Sequence, residues 1–220
     1  MKKRSLSILM IVCMLFSMMP SSAFASESNE TQTEPHVHCV CGSTTCSGDG
    51  HNPNQEWQAW DGTGTMPEYA YLSNNVESTG EKRMNDQSLC LNGKVYKKSG
   101  SNKHCAFTAT SGNMTITDCD NETPHRFKVE ESGLWVLDEE NGDKVVTGGV
   151  ITGFTESALC VYDRKKLNLY GGNIVGNTKT ADGSGGGAAV WIRDCQFDMY
   201  GGTIQGNYIN GSGSGVYITC

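Results

Sequence analysis

The stretch from Leu167 to Asn177 reads Leu-Asn-Leu-Tyr-Gly-Gly-Asn-Ile-Val-Gly-Asn, and Phe197 to Asn207 repeats it as Phe-Asp-Met-Tyr-Gly-Gly-Thr-Ile-Gln-Gly-Asn. A second unit alternates with the first: Ala158-Leu159-Cys160-Val161, Ala189-Val190-Trp191-Ile192 and Gly215-Val216-Tyr217-Ile218. Val145 to Gly153 is a weaker, earlier copy of the first unit. Self-similarity at a short, fixed period restricts a chain to a repeat architecture. Each unit is one supersecondary piece that buries its apolar face only against its neighbours.

The units carry no helical period. Leu167 with Leu169, Val190 with Ile192 and Val216 with Ile218 alternate, which is the pattern of a strand with one buried face. Gly-Gly between two such strands permits a tight bend through positive φ. A cycle of roughly 23 to 31 residues with three brief strands predicts an all-β fold, a right-handed parallel β-helix. Successive coils would stack about 4.8 Å apart, so equivalent residues form columns. Leu159, Val190 and Val216 are expected in one inward column, and Val161, Ile192 and Ile218 in another. Leu169 pairs with Met199 and Ile174 with Ile204 in the same scheme. Asn177 and Asn207 would form an amide ladder. The stretch Thr178 to Gly187 differs in length from Tyr208 to Ser214, which marks a surface loop. Residues 66–144 read as earlier, less regular coils, with Tyr69 to Val76 as the first strand. The five cysteines in or beside these strands (Cys90, Cys119, Cys160, Cys195 and Cys220) are expected mainly as small packed hydrophobes, with pairing between coils as the alternative. The glycines, 27 in all, lack the three-residue period of collagen.

The first residues belong to export rather than to the fold. Lys2, Lys3 and Arg4 precede an apolar stretch from Leu6 to Met19, and Ala23-Phe24-Ala25 is a small-residue exit. This predicts a secretory signal peptide cleaved after Ala25. Cleavage leaves 14 basic residues against 24 acidic ones, a net charge of −10. That balance makes nucleic acid and anionic membrane surfaces poor partners, so no nucleic acid is expected, and no stable membrane insertion is expected after cleavage. The expected organisation is a signal peptide at 1–25, a Cys/His-rich segment at 26–62 and the β-helix at 63–220. The last coil breaks off after Ile218, so the chain reads as the N-terminal part of a longer protein.

Removing Cys13 with the leader leaves nine cysteines, an odd number. Three of them crowd with histidines in His36-Val37-His38-Cys39-Val40-Cys41-Gly42, Cys46 and His51. Zinc takes four such ligands in a tetrahedron. The candidate metal site is Cys39, Cys41, Cys46 and His51, with His36 or His38 as a substitute ligand, holding a structural zinc. A disulfide knot among the same cysteines is the competing arrangement. Trp57 and Trp60 follow, and such a pair more often closes the end of a core than stacks on a sugar.

The exported chain resembles clostridial-type bacterial surface proteins with parallel β-helix repeats of the Tyr-Gly-Gly-x-Ile-x-Gly-Asn kind. The likeness rests on the two repeats above and on the Cys/His opening followed by Trp57 to Gly62. Leu-Cys-Leu-Asn-Gly at Leu89 to Gly93 and Thr-Ile-Thr-Asp-Cys at Thr115 to Cys119 also carry it. The resemblance implies a secreted or cell-surface protein with a structural or adhesive role. Glycan or another wall polymer would be its partner, met on a flank bearing Tyr170, Tyr200, Trp191 and Tyr217; the alternative is that these rings are stacking ladders that only stabilise the coil.

The alternative is a carbohydrate-active enzyme, because β-helices also host polysaccharide lyases and hydrolases. Val190-Trp191-Ile192-Arg193-Asp194 is similar to a Val-Trp-Ile-Asp-His strand of pectate-type lyases, but Arg193 and Asp194 replace its acid and histidine. After cleavage only Arg83, Arg126, Arg164 and Arg193 remain, with no pair at lyase spacing. Asp118, Asp120, Asp194 and Asp198 read as solvated turn residues. No catalytic residue and no cofactor-binding residue is assigned, since a fold alone confers no chemistry.

Overall fold

The structure is a computed structural model that describes residues 35–48, 50–179, 186–210 and 213–219. The expected signal peptide, most of the loop at 178–187, and Cys220 lie outside these residues. Among the described residues there are strands and turns and no helix. Pro35 onward forms one compact unit, so the Cys/His segment and the repeats fold together.

Three sheets hold most of the strands. The first takes in Tyr69–Leu72, Gln87–Cys90, Met114–Thr117, Lys166–Leu169 and Gln196–Met199. The second takes in Val76–Ser78, Val95–Lys98, Val150–Thr152, Asn173–Val175 and Thr203–Gln205. The third takes in Lys82–Arg83, Phe107–Ala109, Leu159–Val161, Val190–Arg193 and Val216–Thr219. The chain visits the three sheets in turn and repeats the circuit, and every pairing among these strands is parallel. The expected first strand from Tyr69 to Val76 is instead two strands on two sheets.

Register turns the repeat into columns. Ala70, Leu89, Ile116, Leu169 and Met199 align across the first sheet. Val76, Tyr96, Ile151, Ile174 and Ile204 align across the second. Phe107, Leu159, Val190 and Val216 align across the third, as do Val161, Ile192 and Ile218. The pairs expected from the repeat are thus in place, but Met199, Val216 and Ile218, expected to face inward, are exposed, because their strands are the last in their sheets among the described residues. The columns meet in one core, in which Leu89, Ile116, Phe107, Leu159, Val190 and Ile192 have no exposed surface. Burying an aliphatic side chain of this size contributes about 1.5–3 kcal/mol, so a register slip of one residue, which would turn every column outward, is strongly disfavoured. Trp191 alternates with Ile192 and is only half-buried.

The turns explain the glycines at two places. Gly172 has φ +86° and Gly202 has φ +77°, a region that L side chains rarely adopt. A Cβ on Gly202 would also stand 2.3 Å from the carbonyl oxygen of Gly172, so the two turns nest only without side chains. Asn177 and Asn207 form the expected ladder. Asn177 Nδ2 donates to Asn207 Oδ1 at 3.0 Å, and the Asn177 backbone N–H reaches the same oxygen at 2.9 Å.

One stretch departs from the expected irregular coils. Pro124–Val129 pairs antiparallel with both Trp135–Leu137 and Lys144–Thr147. This small sheet is inserted between the first- and second-sheet strands of one circuit. It has its own apolar cluster of Phe127, Val146, Val150 and Val175, with Trp135 and Leu137 packed against it. Val145-Val146-Thr147 therefore serves the insert, and only Val150-Ile151 keeps the repeat register.

Candidate metal centre

The Cys/His segment is joined to the first sheet by two strands. His36–Val37 pairs antiparallel with Glu56–Trp60, which pairs in parallel with Tyr69–Leu72. Trp57 and Trp60 are buried, Trp60 within the main core, which matches the packing role expected of them. Between the two strands the chain folds into a tight loop. The Gly42 N–H donates to the Cys39 carbonyl, and the Cys39 N–H to the Ser43 carbonyl, both at 2.9 Å. Gly42 has φ +80°, and a Cβ there would stand 2.2 Å from the Asp118 carbonyl oxygen. Glycine is what lets this loop lie on the neighbouring chain.

The loop gathers Cys39, Cys41, Cys46 and His51, whose ligand atoms all lie within 4.8 Å of one another. This is the set expected from sequence, and the structure leaves its thiols unpaired. Cys39 is fully buried and the other three are half-buried. Burial opposes ionisation of Cys41. Hydrogen bonds from the Ser43 backbone and from the Cys39 and Cys46 thiols outweigh it and hold Cys41 below the usual thiol range. Cys46 is pushed up to about 12, first by its hydrogen bond with Cys39. Three sulfurs this close share protons, and a thiophilic cation that replaces those protons removes the conflict between neighbouring negative charges.

His36 and His38, expected as substitute ligands for that set, stand in a second group with Cys90 and Cys119. Their ligand atoms also lie within 4.8 Å of one another. The Cys90 thiol donates to Cys119 Sγ at 3.4 Å, and His36 Nε2 lies 3.5 Å from the same sulfur. The bond with Cys90, aided by both histidines, holds Cys119 well below the usual thiol range against burial. Burial first, and then Cys119, push Cys90 up. Cys90 and Cys119 are therefore not the plain packing residues that the sequence suggests. Both lie at the same end of adjacent first-sheet strands, where Cys90 pairs with Thr117. A cysteine just before the turn in two successive circuits was the one available signal. Cys105 and Cys160, by contrast, form a disulfide, and Cys195 is a free thiol. Both Cys/His groups have the donor chemistry to hold a metal ion.

The acidic candidates have structural partners. Asp118, expected as a solvated turn residue, is only 3% exposed. Its carboxylate accepts from the backbone N–H of Gly93 and of Gly149, which ties two circuits together. Burial raises its pKa, and those two amides pull against the rise. Asp120 accepts from the Thr123 hydroxyl and from the N–H groups of Glu122 and Thr123. Asp198 forms an ion pair with Lys166 at 2.7 Å.

The aromatic flank expected from the repeats divides between two places. Trp191 and Tyr217 pair in register on the third sheet. Tyr170 and Tyr200 stack on each other 4.6 Å apart, just beyond the first sheet. Beside them runs a groove of about 340 Å³, lined by Cys41, Asn121, Thr147, Tyr170, Asn173 and Thr203 among others. His51 meets the edge of Tyr170, so the groove and the first Cys/His group adjoin. Among the described residues no helix is long and apolar enough to cross a membrane. Comparison with known protein families, with curated proteins and with solved structures finds no match for this chain.

Proposed function

We propose that this chain is an exported, cell-surface module with a structural or adhesive role, built as a right-handed parallel β-helix. A zinc ion on Cys39, Cys41, Cys46 and His51 would order its N-terminal end, and a glycan or wall polymer would bind beside it. The resemblance to clostridial-type surface proteins gives this reading its outline. The observation that carries it is the groove next to the Tyr170–Tyr200 stack. Asn121 offers an amide there and Thr147 and Thr203 offer hydroxyls, and Tyr200 is 61% exposed. An aromatic face beside convergent polar groups suits a sugar, whose C–H face packs on a ring while its hydroxyls find partners. The Cys105–Cys160 disulfide suits an oxidising exterior. Asp118 and Asp120 are already committed to backbone and threonine partners, which favours a scaffold over a hydrolase.

The test is a binding screen of the exported chain against cell-wall polysaccharides and host-type glycans. Binding should appear for at least one polymer, and Tyr200→Ala should weaken it at least about 10-fold, the loss of about 1.4 kcal/mol. The melting temperature should stay within about 2 °C, because the ring is exposed. Binding that Tyr200→Ala leaves unchanged would move the ligand elsewhere. Release of reducing or unsaturated ends from a polymer would favour the enzyme instead.

A further inference from the structure

We propose that His36, His38, Cys90 and Cys119 form a second, tetrahedral zinc site that rivets the Cys/His segment onto the repeat stack. The inference stands on the geometry of these four residues and needs neither the glycan reading nor the first zinc ion.

The spacing of the ligand atoms fits the ion. Zinc–nitrogen and zinc–sulfur bonds of ordinary length, set at tetrahedral angles, place two nitrogens about 3.4 Å apart. The same geometry gives about 3.6 Å for nitrogen to sulfur and about 3.8 Å for two sulfurs. Here the two histidine Nε2 atoms are 3.1 Å apart, His36 Nε2 is 3.5 Å from Cys119 Sγ, and the two sulfurs are 3.4 Å apart. These three edges are each within about half an ångström of their ideals, and all four ligand atoms lie within 4.8 Å of one another. Two thiolates with two imidazoles make a borderline-soft set that favours zinc and rejects magnesium or calcium.

The imidazoles are held for the task before any metal arrives. His38 Nδ1 lies 2.6 Å from the Cys39 carbonyl, an acceptor, so Nδ1 carries the hydrogen and Nε2 of the neutral ring presents its lone pair. The His38 ring stacks on Trp57 at 4.5 Å, and its backbone carbonyl accepts from Trp57 Nε1 at 2.7 Å. The His36 ring stacks on Tyr71 at 4.0 Å.

The provenance of the ligands gives the site its consequence. His36 and His38 come from the segment, and Cys90 and Cys119 come from two successive circuits of the first sheet. One ion would therefore cross-link three stretches of chain. His38 is also adjacent in sequence to Cys39 of the first group, so filling one site fixes the backbone that carries a ligand of the other.

The experiment uses the full exported chain, kept reduced, loaded with zinc, freed of excess, and weighed by native mass spectrometry. Two ions per chain are expected. The Cys90→Ser/Cys119→Ser double variant and, separately, His36→Gln should each hold one. Cys41→Ser should also hold one, and cobalt in that variant should show the charge-transfer absorption of a two-thiolate site. Cys119→His keeps a ligand atom and should still hold two, which separates lost ligation from lost fold. The proposal is overturned if the double variant and His36→Gln each hold as many ions as the wild-type chain, if Cys41→Ser holds none, or if Cys90 and Cys119 are found as a disulfide in the metal-loaded chain.

Discussion

Tyr96 is fully buried within the second-sheet column, and its hydroxyl donates to Ser78 Oγ at 3.0 Å. Burial pushes its pKa up to about 12, against the pull of Ser78. A phenol with a raised folded-state pKa binds its proton more tightly in the native protein than in the unfolded chain. Between about pH 10 and 12 the native state keeps that proton and the unfolded state loses it, so stability falls as pH rises. Urea melts should show Tyr96 contributing a loss of about 1.4 kcal/mol per pH unit across that window. Tyr96→Phe should remove this part of the slope, and an unchanged slope would assign it to other groups. At this scale the sequence was partly legible. The alternation that buries Ile192 and leaves Trp191 half-exposed follows from a period of two. The burial of Asp118 does not. Its carboxylate is enclosed only because Gly93 and Gly149, far from it in sequence, supply amides.

The asparagine ladder belongs to the scale of the element. Asn177 has no exposed surface, and its amide serves several groups at once. Oδ1 accepts from the Phe154 N–H at 3.1 Å, and Nδ2 donates to the carbonyls of Ile151 and Val175 and to Asn207 Oδ1. Asn177→Ala would leave buried backbone groups without partners, at about 1–3 kcal/mol for each. Chemical denaturation should register a loss of at least about 2 kcal/mol. Asn207→Ala, at a half-buried position, should cost less; the reverse order would mean that the ladder draws its strength from its outer rung. The ladder was legible because the two asparagines hold the same place in the repeat. The antiparallel insert was not. Val145-Val146-Thr147-Gly148-Gly149 mimics the repeat, yet its first three residues pair with Arg126, His125 and Pro124. Phe127 needs a cover, and Val146 supplies it.

For the molecule as a whole, the proposed metal sites at the N-terminal end and the apolar columns along the stack would be separate sources of order. Strong chelation of the reduced, zinc-loaded protein should loosen residues 35–62 first. Trp57 stacks on His38, so tryptophan emission should shift to the red and new protease sites should open in that segment. The far-UV signature of the strands should change little, since the main core holds no metal ligand. Cooperative loss of all strand signal on chelation would mean that the columns depend on the metal. The division of legibility has the same origin. Cys39, Cys41, Cys46 and His51 are near neighbours along the chain, so their spacing announces a site. Cys90 and Cys119 become neighbours only once two circuits stack.

The Cys105–Cys160 disulfide ties the residue two before Phe107–Ala109 to the strand Leu159–Val161, with which Phe107–Ala109 already pairs, across 55 residues of chain. The loop it closes contains the whole antiparallel insert, whose turn at Glu130 to Gly133 is solvent-exposed. An endoprotease that cuts there does not divide the molecule. The halves remain one covalent particle, separable on a gel only after reduction, so a nicked protein would keep its mass.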